Sequence, residues 1–309
     1  MVSAVKVLGF GDNVIDRFID RRIDYPGGNC VNFAVFAQEL GIDAAYLGAF
    51  GSDGAGDFLR SELAAIGLDV SRCVVRDGET GIAMVEVVDG DRVFRGGNDG
   101  GVTVREPILL SRDDLRYIAG FDLVHSSVYS ASETQIPLLD GLDVLVTYDL
   151  SSEDEFRSPQ YLDALAPHLD LALLSCSHLG EDDTGALLRA VVAKGAGLAL
   201  GTRGAEGALL FDGVDLHRVD AVPLAGGRPI ADTMGCGDAL LAAVVSSLLA
   251  SGWRKGVVPS AGAIDAALWA GSSFAAEQCF IDGAFGHGRP TPHEARTHVD
   301  AGVDTPAIG

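Results

Sequence analysis

Short apolar runs alternate with helix-length segments along most of this chain, and that alternation leaves few folds open. Val5–Phe10, Ala45–Phe50, Phe121–Ser126, Asp143–Asp149, Leu171–Ser175 and Gly197–Thr202 read as buried strands. Helical stretches are expected at Cys30–Leu40, Gly54–Ile66, Glu133–Asp140, Ser158–Pro167 and Asp182–Lys194, with a long alanine-rich one at Ser260–Gln278. Repetition of strand and helix implies a parallel sheet covered by helices on both faces, because each crossover returns the chain over the sheet. The chain is therefore α/β, and its 309 residues suffice for a large core.

Two hairpin signals interrupt the alternation. Gly81–Val88 and Arg92–Arg95 flank Asp89-Gly90, and Glu206–Phe211 and Val214–Val219 flank Asp212-Gly213. Asp-Gly supplies the positive φ angles that a two-residue turn demands. The first hairpin is expected to lie outside the main sheet as a small lid, with lid strands from about 13–26 and 72–103; the second is expected at an antiparallel edge. The tail beyond His287 holds Pro290, Pro292 and Pro306 and no apolar period, so the folded unit is expected to span 1–288, with 289–309 disordered.

Chemistry concentrates in Asp232-Thr233-Met234-Gly235-Cys236-Gly237-Asp238, which leads straight into the apolar stretch Ala239–Leu249. The glycines bend the backbone so that the amides of Gly235, Cys236 and Gly237 can face the mouth of the following helix, an anion-binding arrangement. A bound phosphate would repel Asp238, which is better suited to taking a proton than to gripping an anion. An amide turn beside an acid points to phosphoryl transfer.

Near the other end, Gly11-Asp12-Asn13 follows the first strand at its carboxyl end, where parallel sheets hold ligands. Asp12 and Asp16 can also be read as solvated loop acids, a reading that for Asp12 stands level with a functional one. Tyr25-Pro26-Gly27-Gly28-Asn29 is a turn ahead of a helix whose first turn carries Asn32, an amide able to donate and accept toward a neutral polyol. Taken alone, Gly27-Gly28 would be an ordinary helix start. Asp53-Gly54-Ala55-Gly56-Asp57 imitates the later motif but lacks its threonine and reads as a helix cap.

Several classes are excluded. No G-x-x-x-x-G-K-[ST] run exists, which removes the P-loop route to ATP. In His293-Glu294-Ala295-Arg296-Thr297-His298 the second histidine falls one residue too late for a zinc-protease helix. The five cysteines, at 30, 73, 176, 236 and 279, contain no C-x-x-C pair and read as reduced thiols. A formal charge of −22 argues against nucleic-acid and anionic-membrane surfaces. An anionic nucleotide must then be met by backbone amides, a few local cations and a metal ion. Ala239–Ala250 is too short to span a bilayer and Met1–Phe10 lacks the flanks of a signal peptide, so a cytoplasmic protein is expected.

Gly27-Gly28-Asn29-Cys30-Val31-Asn32 and Asp232–Asp238, in this order and spacing, resemble the two signatures of the ribokinase (PfkB-type) carbohydrate kinases, and the likeness covers about residues 4–286. The resemblance implies a ribokinase-like three-layer α/β/α sandwich with a mostly parallel sheet and a small β-strand lid. It also implies ATP-dependent transfer to a sugar hydroxyl with Mg²⁺. By this likeness Asp238 is the catalytic base, beside the anion hole of Gly235, Cys236 and Gly237. Asp16, Gly28 and Asn32 hold the sugar, with Arg95 and Asn98 of the lid closing over it. Thr202, Arg203, Gly204 and Gly207 match the family's T-x-G-x-x-G nucleotide strip, Gly283 and Ala284 its carboxyl-terminal nucleotide pair, and Asp232 falls where some relatives bind a monovalent cation such as K⁺. A homodimer through the lid is a further expectation.

Three departures stand out. Cys236 replaces the usual alanine, which a backbone role tolerates. Ser175-Cys176-Ser177-His178 stands where the family has N-x-x-E, leaving Glu181 as a nearby candidate for the metal. Val14 stands where ribokinase places an asparagine, which argues against ribose. Gly11-Asp12-Asn13 with Asp16, Asp91-Arg92-Val93-Phe94, Val124-His125 and Met234 resemble the fructoselysine-phosphorylating subgroup, implying a fructosamine such as fructoselysine phosphorylated at the 6-position. Kinases for another ketose, a sugar acid or a nucleoside, and a non-catalytic sugar or nucleotide sensor, are the alternatives.

Overall fold

The computed structural model describes residues 5–88, 91–224 and 230–293. In chain order the elements are β1 (Lys6–Gly11), β2 (Val14–Phe18), β3 (Ile23–Gly27), α1 (Asn29–Glu39), β4 (Asp43–Gly51), α2 (Gly54–Ile66), β5 (Val74–Arg76), β6 (Gly81–Val88), β7 (Asp91–Gly97), α3 (Gly101–Arg105) and α4 (Arg112–Ile118). There follow β8 (Leu123–Ser127), β9 (Leu145–Asp149), α5 (Pro159–Leu165), β10 (Leu171–Ser175), α6 (Glu181–Ala193), β11 (Leu198–Thr202), β12 (Ala208–Phe211), β13 (Leu216–Val219), α7 (Cys236–Ala250), α8 (Ala261–Gln278) and β14 (Arg289–Pro290).

Among the described residues the main sheet runs β13-β12-β11-β10-β9-β8-β1-β4-β5. It is parallel from β11 to β5, and β12 and β13 form the expected antiparallel edge. Helices cover both faces. Phe33 and Phe36 of α1, Leu241 of α7 and Leu268 of α8 pack on one side; Ile118, Leu162 and Leu188 of α4, α5 and α6 pack on the other. Each such buried side chain contributes about 1.5–3 kcal/mol of transfer free energy. The strand order reverses around β1, which lies between β8 and β4, so the carboxyl end of β1 opens the crevice where such sheets bind ligands.

The lid is a second, mixed sheet in the order β14-β3-β2-β6-β7. It corrects two boundaries. Of the 72–103 stretch, Val74–Arg76 belongs to the main sheet, since it pairs in parallel with Ala49–Gly51. The folded chain also runs past 288: Arg289–Pro290 pairs with Ile23–Asp24, the Thr291 amide donates to the Arg22 carbonyl, and Thr291 Oγ1 donates to Asp24. Polar anchoring replaces the apolar period that the sequence lacks there. The Asp89-Gly90 turn, Met1–Ala4 and residues 294–309, including most of the His293–His298 run, lie outside the described residues.

Glu133–Asp140 forms a single 3-10 turn at Ile136–Leu139 rather than the expected α-helix. Pro137 has no amide to bond back to Glu133, and its ring crowds that carbonyl. Helix starts elsewhere follow capping chemistry. Asp53 accepts from the Gly56 amide at 2.8 Å, and Ser111 and Asp114 form a reciprocal capping box.

Candidate active site

The helix starts that carry the two sequence signatures lack such caps. α1 and α7 begin on Gly28 and Gly235, at φ 111° and 71°, with no side-chain cap. A side chain at Gly28 would lie 2.7 Å from Asn13 Cα, and one at Gly235 2.8 Å from Ala284 Cβ. Both turns are thus confined to glycine by strain and by contact. At neither start does the N-cap residue hold the first-turn amides with a side chain of its own.

Asp238, in the first turn of α7, is 7% exposed and accepts from Asn32 Nδ2 of α1 at 2.8 Å. Burial, and next the charge of Asp149, hold its carboxyl well above the usual range; the Asn32 bond pulls it back only in part, while Asp12 and Asp16 push it further up. Asn32 Oδ1 is buried and without a partner among the described residues, an acceptor suited to a hydroxyl. Asp16 lies behind Gly27, where a Cβ would sit 2.2 Å from Asp16 Oδ2.

Asp12, at the end of β1, is organised by neutral groups. Its Oδ2 accepts from the Asn29 amide at 2.6 Å, and its Oδ1 accepts from the hydroxyls of Ser127 and Ser130 at 2.7 and 2.9 Å. Asn29 Nδ2 in turn donates to Asp149 Oδ2 at 2.7 Å, and the Ser151 amide donates to Asp149 Oδ1 at 2.7 Å. Burial pushes the Asp149 carboxyl up to about 7; the Ser151 amide opposes this, and the charges of Asp12 and Glu153 add to it. Asp12, Asp149 and Asp238 are thus mutually repelling acids, and every partner named for them is an amide or a hydroxyl.

Asn29, Ser127, Ser130 and Asp149 were not singled out from sequence. The available signal was position: Asp149 closes a predicted strand at the same sheet edge as Asp12. Asn13 is buried too, but its amide donates to Tyr46 Oη and the Ala49 carbonyl and ties β1 to β4.

The Cys236 amide turns back to the Thr233 carbonyl at 3.3 Å, and a side chain added at Gly237 would meet open space. Cys236 Sγ lies 3.5 Å from Cys279 Sγ, and both thiols face the Ala275 carbonyl. Thr202 ends β11, and the Arg203 amide donates to the Gly207 carbonyl, closing the loop that holds Gly204. Glu181 pairs with Arg203 and Arg218, so its carboxylate is committed to that edge. Gly283, at φ 65°, turns its amide to Asp232 Oδ2 at 3.4 Å, and Ala284 packs against Gly235.

The lid residues sit apart from this cluster. Asn98 Oδ1 accepts from the Ile82 amide and its Nδ2 donates to the Thr80 carbonyl, so both ends of its amide are used inside the lid. Arg95 Nε donates to Glu86 at 2.7 Å across the lid strands, on the exposed side. The isolated histidines are structural. His125 stacks on Phe33 and burial drops it to about 3, leaving it neutral.

A mostly parallel sheet with helices on both faces, carrying an amide turn and a buried acid at a helix mouth, is the architecture of an ATP-dependent sugar kinase. The chain belongs to the pfkB family of carbohydrate kinases, whose model matches residues 23–279. It is 34% identical over 287 residues to the fructosamine kinase FrlD of Bacillus subtilis (strain 168), covering 93% of this chain and 95% of that one. It is also 34% identical over 248 residues to fructoselysine 6-kinase of Escherichia coli (strain K12), covering 80% of this chain and 88% of that one. A double-mutant fructokinase of Vibrio cholerae O395, solved with fructose, ADP and a potassium ion bound, superposes with a TM-score of 0.69 at 20% identity, covering 96% of this chain and 98% of that one. No described helix is long and apolar enough to cross a membrane.

Proposed function

We propose that this kinase phosphorylates a fructosamine, with fructoselysine the preferred acceptor and its 6-hydroxyl the nucleophile. The observation that carries this reading is the 34% identity to a fructosamine kinase across nearly the whole of both chains. The site's chemistry supports it. A fructosamine differs from fructose by a secondary amine that is protonated at neutral pH, and a crowd of carboxylates with neutral partners favours a cationic acceptor over a neutral one.

In this reading Asp16, Gly28 and Asn32 hold the sugar, and Asp238 takes the proton of the attacking hydroxyl. The γ-phosphate lies against the amide turn 235–237, and Thr202, Arg203, Gly204, Gly207, Gly283 and Ala284 line the nucleotide. Among the described residues no three acids converge into a metal site made by protein alone. Mg²⁺ would therefore be held chiefly by nucleotide phosphates, with Asp149 the carboxylate available beside it, and when bound it neutralises developing phosphate charge. Arg95 and Asn98 act by closing the lid. An acceptor that brings positive charge also lowers the raised Asp238 carboxyl toward the ionised form that a base requires.

The test is ADP release across fructoselysine, other fructosamines, fructose, sugar acids and nucleosides, with ³¹P NMR locating the new ester. Fructoselysine is expected to give the highest kcat/KM and a 6-phosphate. A higher kcat/KM for a neutral ketose or a nucleoside would remove the fructosamine reading and leave the sugar-kinase assignment in place.

A further inference from the structure

Arg21 lies in the turn between β2 and β3, and the transfer described above does not use it. Its guanidinium sits where three parts of the chain meet. Nη1 is 3.0 Å from Asp282 Oδ1 and 3.7 Å from Asp232 Oδ2, and Nη2 donates to the Ala231 carbonyl at 3.3 Å. The Phe18 ring lies 4.9 Å from its central carbon. Asp232 opens the phosphate-binding turn, Asp282 precedes the Gly283-Ala284 pair, and Arg21 belongs to the lid. One side chain therefore joins all three.

The two carboxylates need that charge to different degrees. The Asp282 side chain is 59% exposed, so water meets most of its need and the pair contributes little. The Asp232 side chain is 1% exposed, and an ionised carboxylate that deep requires a compensating cation.

The Vibrio fructokinase holds a potassium ion, and Asp232 is the residue that family likeness assigns to a monovalent cation. The oxygens here do not fit one. Asp232 Oδ1 accepts from the amides of Thr233 and Met234 at 2.7 and 2.9 Å, Oδ2 faces the Gly283 amide and Arg21, and the Ala231 carbonyl is turned to Arg21. A monovalent cation needs several oxygen lone pairs directed at one point. These lone pairs are directed at N–H groups instead.

We propose that Arg21 is the fixed cation of the phosphate-binding turn in this enzyme, positioning the Asp232 and Asp282 loops from the lid so that nucleotide binding requires no monovalent cation. Arg21 is thus a positioning residue, acting through Asp232 on the turn that receives phosphate. The inference concerns the nucleotide side and is independent of which sugar is the acceptor.

Calorimetric titration of Mg–ADP into the wild-type protein, Arg21→Ala and Arg21→Lys tests it, in KCl or choline chloride at about 0.1 M so that screening is equal. Wild-type affinity is expected to agree within about twofold in the two salts. Arg21→Ala is expected to bind ADP about tenfold more weakly in choline and to recover in KCl as the ion takes the vacated place, whereas Arg21→Lys stays near wild type in choline. A wild-type affinity that rises more than about threefold with KCl overturns the proposal. So does an Arg21→Ala protein equally weak in both salts, since a mere tether would show no rescue by the ion. Should Arg21→Ala fail to fold, the wild-type comparison and Arg21→Lys decide the question.

Discussion

Asn32 reaches from the first turn of α1 to donate its side-chain amide to Asp238 in the first turn of α7, at 2.8 Å. The bond joins α1 and α7 at their glycine starts and opposes the forces that raise the Asp238 carboxyl. Asp238→Asn keeps an acceptor for that bond and removes the base. It is expected to lower kcat by about 10² to 10⁴ with a much smaller change in acceptor KM. A variant whose kcat stays within a few-fold of wild type would dismiss Asp238 as the base.

The charge of Asp149 raises the Asp238 carboxyl. The folded protein holds the Asp149 carboxyl at about 7 against an ordinary 3.8, so its ionised form is disfavoured. The stability it allows is present at low pH and lost as pH rises from about 4 through about 7, on the order of 4 kcal/mol. Asp149→Asn should therefore melt higher relative to wild type at pH 8 than at pH 5. Removing the like charge also lowers the Asp238 carboxyl, so the acidic limb of the kcat/KM profile should move to lower pH. A limb that stays in place would show that the two acids are uncoupled.

Gly235 and Cys236 stand side by side in the turn but differ in what they tolerate. At φ 71°, a side chain on Gly235 is strained and meets Ala284 at 2.8 Å. Gly235→Ala is expected to cost about ten- to a hundredfold in kcat, because the amide hole moves with the backbone. Cys236→Ala restores the family's usual residue and changes kcat by less than about threefold, since the position contributes backbone. Equal losses in the two variants would contradict this division.

The parallel sheet was legible because apolar runs and turn residues repeat, and the buried acid Asp238 stood out because it sits within a dense local motif. Asp149, Asn29, Ser127 and Ser130 were less so. Ser127 and Ser130 meet Asp12, and Asp149 reaches it through Asn29, because β1 lies beside β8 and β8 beside β9, an adjacency that sequence spacing does not reveal. The strand at Arg289–Pro290 was hidden for another reason. Its anchors are a backbone pairing, the Thr291 hydroxyl and the Arg289 guanidinium, which donates to the Gly54 carbonyl and lies over Phe58, and none of them leaves an apolar pattern. At Glu133–Asp140 the polar and apolar spacing suited a helix, and a single proline outweighed it.

His217 fixes the antiparallel edge to α8. Its Nδ1 lies 2.8 Å from Asp265 and its Nε2 3.1 Å from Asp212. Burial alone would lower its pKa, but the two carboxylates outweigh burial and raise it above 6.5. The imidazolium therefore stabilises the fold fully below about pH 6.5, and that contribution is lost as pH rises through the raised value. His217→Gln should reduce the melting temperature more at pH 5.5 than at pH 9. A deficit independent of pH would mean that His217 packs there without its charge.

Arg17 and Asp24 form the ion pair that holds the lid hairpin, with Nε and Nη2 each 2.8 Å from a carboxylate oxygen and side-chain exposures of 9% and 0%. Thr291 Oγ1 donates to the same carboxylate at 2.8 Å, carrying the carboxyl-terminal segment onto the lid. Asp24→Ala leaves a buried guanidinium uncompensated and is expected to cost about 3–5 kcal/mol in denaturant unfolding. Thr291→Val removes one hydrogen bond and should cost about 1 kcal/mol. Replacing both charged partners, as Arg17→Met with Asp24→Leu, removes the desolvation penalty along with the attraction and should recover much of the Asp24→Ala loss. If the double variant is as unstable as the sum of its parts, the pair contributes more than desolvation takes away, and the lid depends on its charge rather than on its packing.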